Sequence, residues 1–271
     1  MTNEAGRRLR QAIVTFTQTR TQGGVTEFDF DLTVDGERVP AVIWAPEGAK
    51  TPRPIVLMGH GGGQHKKTEM LAARAQRYAQ TFGYATLSID APGHGERIGP
   101  EEAEVMVGDV AARVVGASAS RAVPSPLFKT MGERIRRIVP EWRAALDAAQ
   151  SLTFVGADGP VGYWGVSMGA VLGVPFVAAE PRVTCAVFGL AGVRPKDEAF
   201  AEAARQITVP VEFAFQWDDA IAPRDTGIAL FEAFGSKEKS LHINPGGHRE
   251  TPAFESASWE AFFMRHLSLA S

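Results

Sequence analysis

The sequence predicts an α/β fold in which a mostly parallel sheet of about eight strands carries helices on both faces. Three observations point there. Short apolar runs alternate with stretches of helical period along most of the chain. The run at 54–58 is continuously apolar, as in a strand covered on both faces. The alternation is preceded by two patterned runs, residues 27–34 and 39–44, with Asp35-Gly36 between them, which is the signal of a β-hairpin.

The elements follow in order. The first core strand covers 54–58, a helix 69–82 and a strand 84–89. A long helix is expected over 133–152, because Ile135, Ile138, Val139, Trp142, Ala145, Leu146 and Ala149 form one stripe. Then come a strand at 160–164, a helix at 168–180, a strand at 183–190, a helix at 196–206, a strand at 211–216, a helix at 224–234, a strand at 240–243 and a helix at 254–267. Residues 98–132 break the rhythm. They hold one helical piece, 101–115, followed by irregular sequence, where a short connection is the norm. Ligands of open α/β sheets bind beyond the carboxyl ends of the strands, so an insertion at such an end is expected to fold over the site as a cap.

The 271 residues suit one large domain, and no Pro/Ser/Gly-rich or charged stretch offers a linker. Apolar residues make up 45% and the net charge is −3 without a basic block, which argues against nucleic acid or an anionic membrane as partner. No run approaches the ~20 apolar residues of a membrane helix. The first residues lack the apolar core of a signal peptide, so a cytoplasmic protein is expected. The Arg- and Thr-rich first 20 residues are candidates for a helix or for self-association into a homo-oligomer. Cys185 is the only cysteine and lies inside an apolar run, where a thiol is inert packing.

The chemistry concentrates in a few motifs. Gly165-Val-Ser-Met-Gly169 matches G-x-S-x-G, with a strand before it and a helix after it. The serine of such a motif stands on a sharp, strained turn, and glycines two residues away on either side let strand and helix approach. Ser167 is therefore the candidate nucleophile. Its hydroxyl needs a base, which in this chain order follows an acid. Of the later histidines, His242 sits within a strand and His266 on a terminal helix. His248 follows Asn244-Pro-Gly-Gly247 just beyond the last strand and is the candidate base. Asp218 and Asp219 both stand at the end of the 211–216 strand, and only one of two adjacent side chains should face the histidine. The oxyanion donors are expected from the Met168 N–H and from Gly61 or Gly62 in His60-Gly-Gly-Gly63. His94, Glu96 and Arg97 in the turn 90–97 border the same edge. His60, His65 and His94 have no recognised metal-ligand spacing, so neither metal nor cofactor is expected.

His60-Gly-Gly-Gly63, Asp90-Ala-Pro-Gly-His-Gly95, Gly165-Val-Ser-Met-Gly169, Asp219-Ala-Ile-Ala-Pro223 and Gly246-Gly-His248 together resemble the α/β-hydrolase superfamily, within it the dienelactone-hydrolase-like and prolyl-oligopeptidase-like serine esterases. The resemblance runs from about residue 25 to the end. Family members carry Asp-x-x-x-Pro after the seventh strand with that Asp as the triad acid. The spacing of Asp219 and Pro223 matches, and Asp218 does not. The resemblance thus implies a Ser167–His248–Asp219 triad cleaving a small-molecule carboxylic ester. Dienelactone hydrolases use a cysteine where this chain has Ser167, so a lactone substrate does not follow. The related peptidases carry a large N-terminal propeller, whereas about 50 residues precede the first core strand here, which argues against peptide cleavage. The alternatives are the same triad acting on a thioester, amide or carbon–carbon bond, and a non-catalytic ligand-binding receptor on this fold.

Overall fold

The structure, a computed structural model, describes residues 14–114 and 131–267. Among them one sheet runs in the order β1-β2-β3-β5-β4-β6-β7-β8-β9. Its strands are β1 (Phe16–Gln22), β2 (Val25–Val34), β3 (Glu37–Pro46), β4 (Ile55–Gly59), β5 (Ala85–Ile89), β6 (Val161–Val166), β7 (Val183–Gly189), β8 (Val211–Gln216) and β9 (Lys239–Asn244). The helices are α1 (Glu69–Phe82), α2 (Pro100–Val114), α3 (Met131–Gln150), α4 (Met168–Ala179), α5 (Glu198–Gln206), α6 (Arg224–Ala233) and α7 (Phe254–His266). None of them is long and apolar enough to cross a membrane.

The sheet has nine strands rather than the expected eight. The extra strand, β1, pairs antiparallel with β2 at the sheet edge and is exposed along nearly all its length. Its sequence, Phe-Thr-Gln-Thr-Arg-Thr-Gln, has polar residues on both faces, so it carries no alternation of apolar and polar positions to reveal it. The β2–β3 hairpin closes through Asp35 and Gly36, both at positive φ (49° and 81°), as a two-residue turn of the type that Asp-Gly favours.

Period-2 patterning divides the core between the two faces. In β4, Ile55 and Leu57 join Leu87, Trp142, Phe176 and Phe213 on the face covered by α3, α4, α5 and α6. Val56 and Met58 join Tyr78, Trp164, Cys185 and Phe263 on the face covered by α1 and α7. The strands from β4 to β9 are all parallel, so their carboxyl ends and the loops leaving them line one edge. β5 lies to one side of β4 and β6 to the other. The order in which strands are added reverses there, and loops diverging from β4 and β6 open the crevice that such sheets use for ligands.

The insertion is described in part. Helix α2 matches its expected helical piece, while 115–130 lie outside the described residues. Gly62 and Gly63 fit against α2 closely: a Cβ on Gly62 would lie 3.5 Å from Val110 Cγ2, and one on Gly63 3.4 Å from Val107 Cα.

Candidate active site

Ser167 follows the last residue of β6 directly and precedes α4. Its backbone is at φ 56°, a left-handed conformation that costs a non-glycine residue of order 1 kcal/mol or more. The neighbouring glycines make the turn possible. A Cβ on Gly169 would sit 2.4 Å from Gly59 O, and one on Gly165 would sit 2.6 Å from Gly169 O. The turn is held from β7, where Gly189 O accepts the Ser167 N–H at 2.8 Å, and by Tyr163, whose hydroxyl donates to Gly169 O at 2.7 Å.

His248 reaches this serine from the loop after β9. Its Nε2 lies 2.8 Å from Ser167 Oγ, and its Nδ1 lies 2.6 Å from Asp219 Oδ2. A carboxylate only accepts, so Nδ1 carries the proton and Nε2 is left with its lone pair toward the serine hydroxyl. Asp219 is itself anchored: its Oδ1 accepts the N–H groups of Ile221 at 2.8 Å and Ala222 at 3.0 Å. Asp219 and His248 are both buried. Asp218, one residue earlier, is exposed and points away, accepting the Gly246 N–H at 3.2 Å. It pins the base of the His248 loop instead of touching the imidazole.

The two glycines left open as oxyanion donors have different partners. The Gly61 N–H donates to the Gln64 side chain at 3.0 Å. Among the described residues no hydrogen bond engages the Gly62 N–H. Met168 is the first residue of α4, so its N–H belongs to the helix-start donors that have no intrahelical acceptor. His60 organises this loop and does not line the cavity that holds Ser167. It is buried, its Nδ1 donates to Gly61 O at 2.8 Å, and its Nε2 accepts the Ala91 N–H at 3.0 Å. Burial pushes its pKa below the ordinary histidine value.

The 90–97 turn is a structural brace. The Asp90 carboxylate accepts the N–H groups of Lys66 and Glu96, at 2.8 and 3.0 Å, and pairs with the buried Lys66 ammonium at 3.1 Å. Arg97 forms a bidentate pair with the buried Glu141 of α3, at 2.8 and 2.9 Å. His94 is fully buried, donates to Pro92 O, and is driven by that burial down to about 3. None of His94, Glu96 and Arg97 lines the cavity that holds Ser167. Cys185 is buried on the α1/α7 face, and burial pushes its thiol up, away from the reactive thiolate.

A second carboxylate–imidazole pair lies away from the serine. His242 Nδ1 donates to Glu255 Oε2 at 2.8 Å, Asn244 Nδ2 donates to Glu255 Oε1 at 2.8 Å, and Glu212 approaches to 4.0 Å. Glu212, His242 and Glu255 are the one group among the described residues with three ligand atoms within 4.8 Å, a donor set of the kind that holds a divalent cation. Burial raises the Glu212 pKa.

Sequence reasoning missed much of the surrounding cavity. Its volume is about 590 Å³, and its walls include Val107 and Val110 of α2, Arg74 of α1, and Trp164 and Trp259. Nothing local in α1 or α7 distinguishes those residues from core positions.

The fold as a whole matches known proteins. The chain superimposes on a cold-adapted esterase from an Arctic intertidal metagenomic library with a TM-score of 0.78 and 32% identity, covering 94% of this chain and all of that one. The chain belongs to the α/β-hydrolase superfamily. More distant members share the fold. An acetyl xylan esterase from Paenibacillus sp. R4 is 16% identical with a TM-score of 0.71, over 97% of this chain and 91% of that one. A dienelactone hydrolase from Anabaena variabilis ATCC 29413 is 23% identical with a TM-score of 0.61, over 90% of this chain and all of that one. No protein-family model and no curated protein matches the sequence. This α/β hydrolase thus shares both sheet architecture and nearly its full length with its 32% identical relative.

Proposed function

We propose that this hydrolase cleaves small carboxylic esters through an acyl-enzyme carried by Ser167. The observation that carries the reading is the unbroken chain of hydrogen bonds from Ser167 Oγ to His248 Nε2 (2.8 Å) and from His248 Nδ1 to Asp219 Oδ2 (2.6 Å), ending on a serine held at φ 56°. The 32% identical esterase supports the choice of bond.

His248 takes the Ser167 proton as Oγ attacks the ester carbonyl. The negative charge that forms on the carbonyl oxygen is met by the N–H groups of Met168 and Gly62. Gly62 takes this role rather than Gly61, whose N–H is already donated to Gln64. The protonated imidazole, held in place by Asp219, returns its proton to the leaving alcohol. Water then enters, loses a proton to His248 and attacks the acyl group, which releases the acid and regenerates Ser167. This route requires no cofactor. Helix α2, within the 98–132 insertion, acts as a cap, with Val107 and Val110 giving the cavity an apolar wall beside the Gly62 donor.

The test is hydrolysis of p-nitrophenyl esters from acetate to decanoate by the wild type and by Ser167→Ala. The expected result is turnover on the shorter esters that falls by about 10³-fold or more in the variant. A Ser167→Ala protein as active as the wild type would show that the nucleophile lies elsewhere.

A further inference from the structure

We infer that the cavity beside Ser167 contains a subsite for a carboxylate, built around Arg74, so that the preferred esters carry an anionic group in addition to the scissile bond. The inference rests on the ester-hydrolysis reading and narrows its substrate class.

Arg74 projects from α1 into the cavity that Ser167 and His248 also line. Its guanidinium lies 4.4 Å from the Trp164 ring centroid and 4.8 Å from that of Trp259. A cation held over aromatic rings in this way does not use up its N–H groups. Those donors are nearly idle. Two make only long contacts, to Tyr78 Oη at 3.4 Å and Ser256 Oγ at 3.5 Å, and Nε is buried without a partner. The Nε1–H groups of Trp164 and Trp259, residues 0% and 4% exposed, also have no acceptor. Arg74, Trp164 and Trp259 all line the Ser167 cavity, and the donors of Arg74 held only by long contacts are its two terminal nitrogens. A charged donor held only by such long contacts is stabilised by a ligand that brings an acceptor.

Charge specifies which ligand. Arg74 and Arg249 both line this cavity, and no Asp or Glu does. Among the described residues neither arginine is paired with a carboxylate, whereas the neighbouring Arg77 on the same helix is paired with Glu260. The chain as a whole carries −3, so this positive recess stands against the overall balance. A planar carboxylate meets the guanidinium fork with two oxygens.

The experiment compares matched ester pairs that differ in one charge: p-nitrophenyl hemiadipate against p-nitrophenyl methyl adipate for the acyl side, and 4-acetoxybenzoate against its methyl ester for the alcohol side. The readout is the anionic-to-neutral ratio of kcat/KM, in which a general loss of activity cancels. The wild type should favour the anion by about tenfold or more on at least one pair. Arg74→Gln should bring that ratio close to one, Arg74→Lys should keep part of it, and Arg77→Gln should leave it unchanged. A wild-type ratio of one or less on both pairs, or a ratio that survives Arg74→Gln, overturns the subsite.

If the wild type turns over none of these esters or the neutral p-nitrophenyl series, it is the ester-hydrolysis reading that fails. The subsite is then decided by calorimetric titration of Ser167→Ala with adipamate, a carboxylate without an ester. Saturable binding that Arg74→Gln abolishes upholds it, and no binding up to about 10 mM overturns it.

Discussion

The hydrolase contains two carboxylate–histidine pairs of nearly the same geometry, in loops and strands a few residues apart. His248 donates to Asp219 at 2.6 Å, and His242 donates to Glu255 at 2.8 Å. What separates them is the other ring nitrogen and the ground beneath it. The Nε2 of His248 meets a serine on a strained turn, at the carboxyl edge of the sheet, inside a cavity. His242 sits within β9, and its carboxylate is shared with Asn244, the last residue before the His248 loop. In the proposed mechanism the first pair orients a base. The second ties β9 to α7 and thereby holds the root of the loop that carries the first. A short imidazole–carboxylate bond is therefore no signature of catalysis; the third partner and the strand end decide.

The comparison can be broken most severely at its catalytic pair. Asp219→Asn should lower kcat/KM on the best p-nitrophenyl ester by about 10³- to 10⁴-fold, because the amide no longer holds the Nδ1–H tautomer or stabilises the imidazolium. Steady-state kinetics check this directly. An Asp219→Asn enzyme within tenfold of wild type would remove the distinction drawn between the two pairs.

The histidines that lack a carboxylate extend the contrast to acid stability. His94 has a folded-state value of about 3, below the ordinary 6.5, and burial lowers His60 as well. Each stays neutral in the fold and accepts a proton near pH 6.5 once unfolded. Their contribution to stability is complete above pH 6.5 and is lost as pH falls below it, for His94 down toward 3, by at most about 1.4 kcal/mol per pH unit for each group. Glu212 runs the other way. Its raised value makes its contribution greatest below its unfolded-state value and smaller as pH rises through its folded one. Urea midpoints from pH 7 to 4 should therefore fall toward acid in the wild type and fall less steeply in His94→Asn. Equal slopes would show that His94 takes up its proton in the folded protein.

A smaller effect is expected at the second pair. Glu255→Gln should cost about 1–3 kcal/mol of stability by urea denaturation, since a buried acceptor of two side chains becomes an amide. Its kcat/KM should stay within about threefold of wild type, as an interaction remote from the reacting atoms. The smallest change is expected at Asp218, the exposed neighbour of Asp219. Asp218→Asn preserves an acceptor for the Gly246 N–H and should alter kcat/KM by less than about twofold. The adjacent pair of aspartates thus provides two substitutions of the same chemistry with effects about three orders of magnitude apart.

Local pattern made much of this legible. Helix α1 occupies its expected residues, 69–82, and the remaining described helices lie within two residues of expectation. Ser167 was recognisable because its constraint is local: a nucleophile at positive φ between glycines at 165 and 169 needs only five residues of chain. β1 was illegible because a solvated edge strand buries neither face and so leaves no period of two. The brace formed by Lys66, Asp90, Arg97 and Glu141 was also hidden, since its members are contributed by segments far apart in the chain and each looks like an ordinary charged residue.

The sequence by itself determined the alternation of elements, the parallel sheet and the motifs clustered at its carboxyl edge, because periodicity and turn chemistry act over a few residues. Only the tertiary structure decided that Gln64 rather than a substrate engages the N–H of Gly61 and leaves that of Gly62, and that Arg74 rather than Arg77 lies over two indoles in the cavity wall. Each of these is a choice between groups of equal intrinsic chemistry. The choice depends on distances and directions set by packing between remote segments, which no local pattern in the chain encodes.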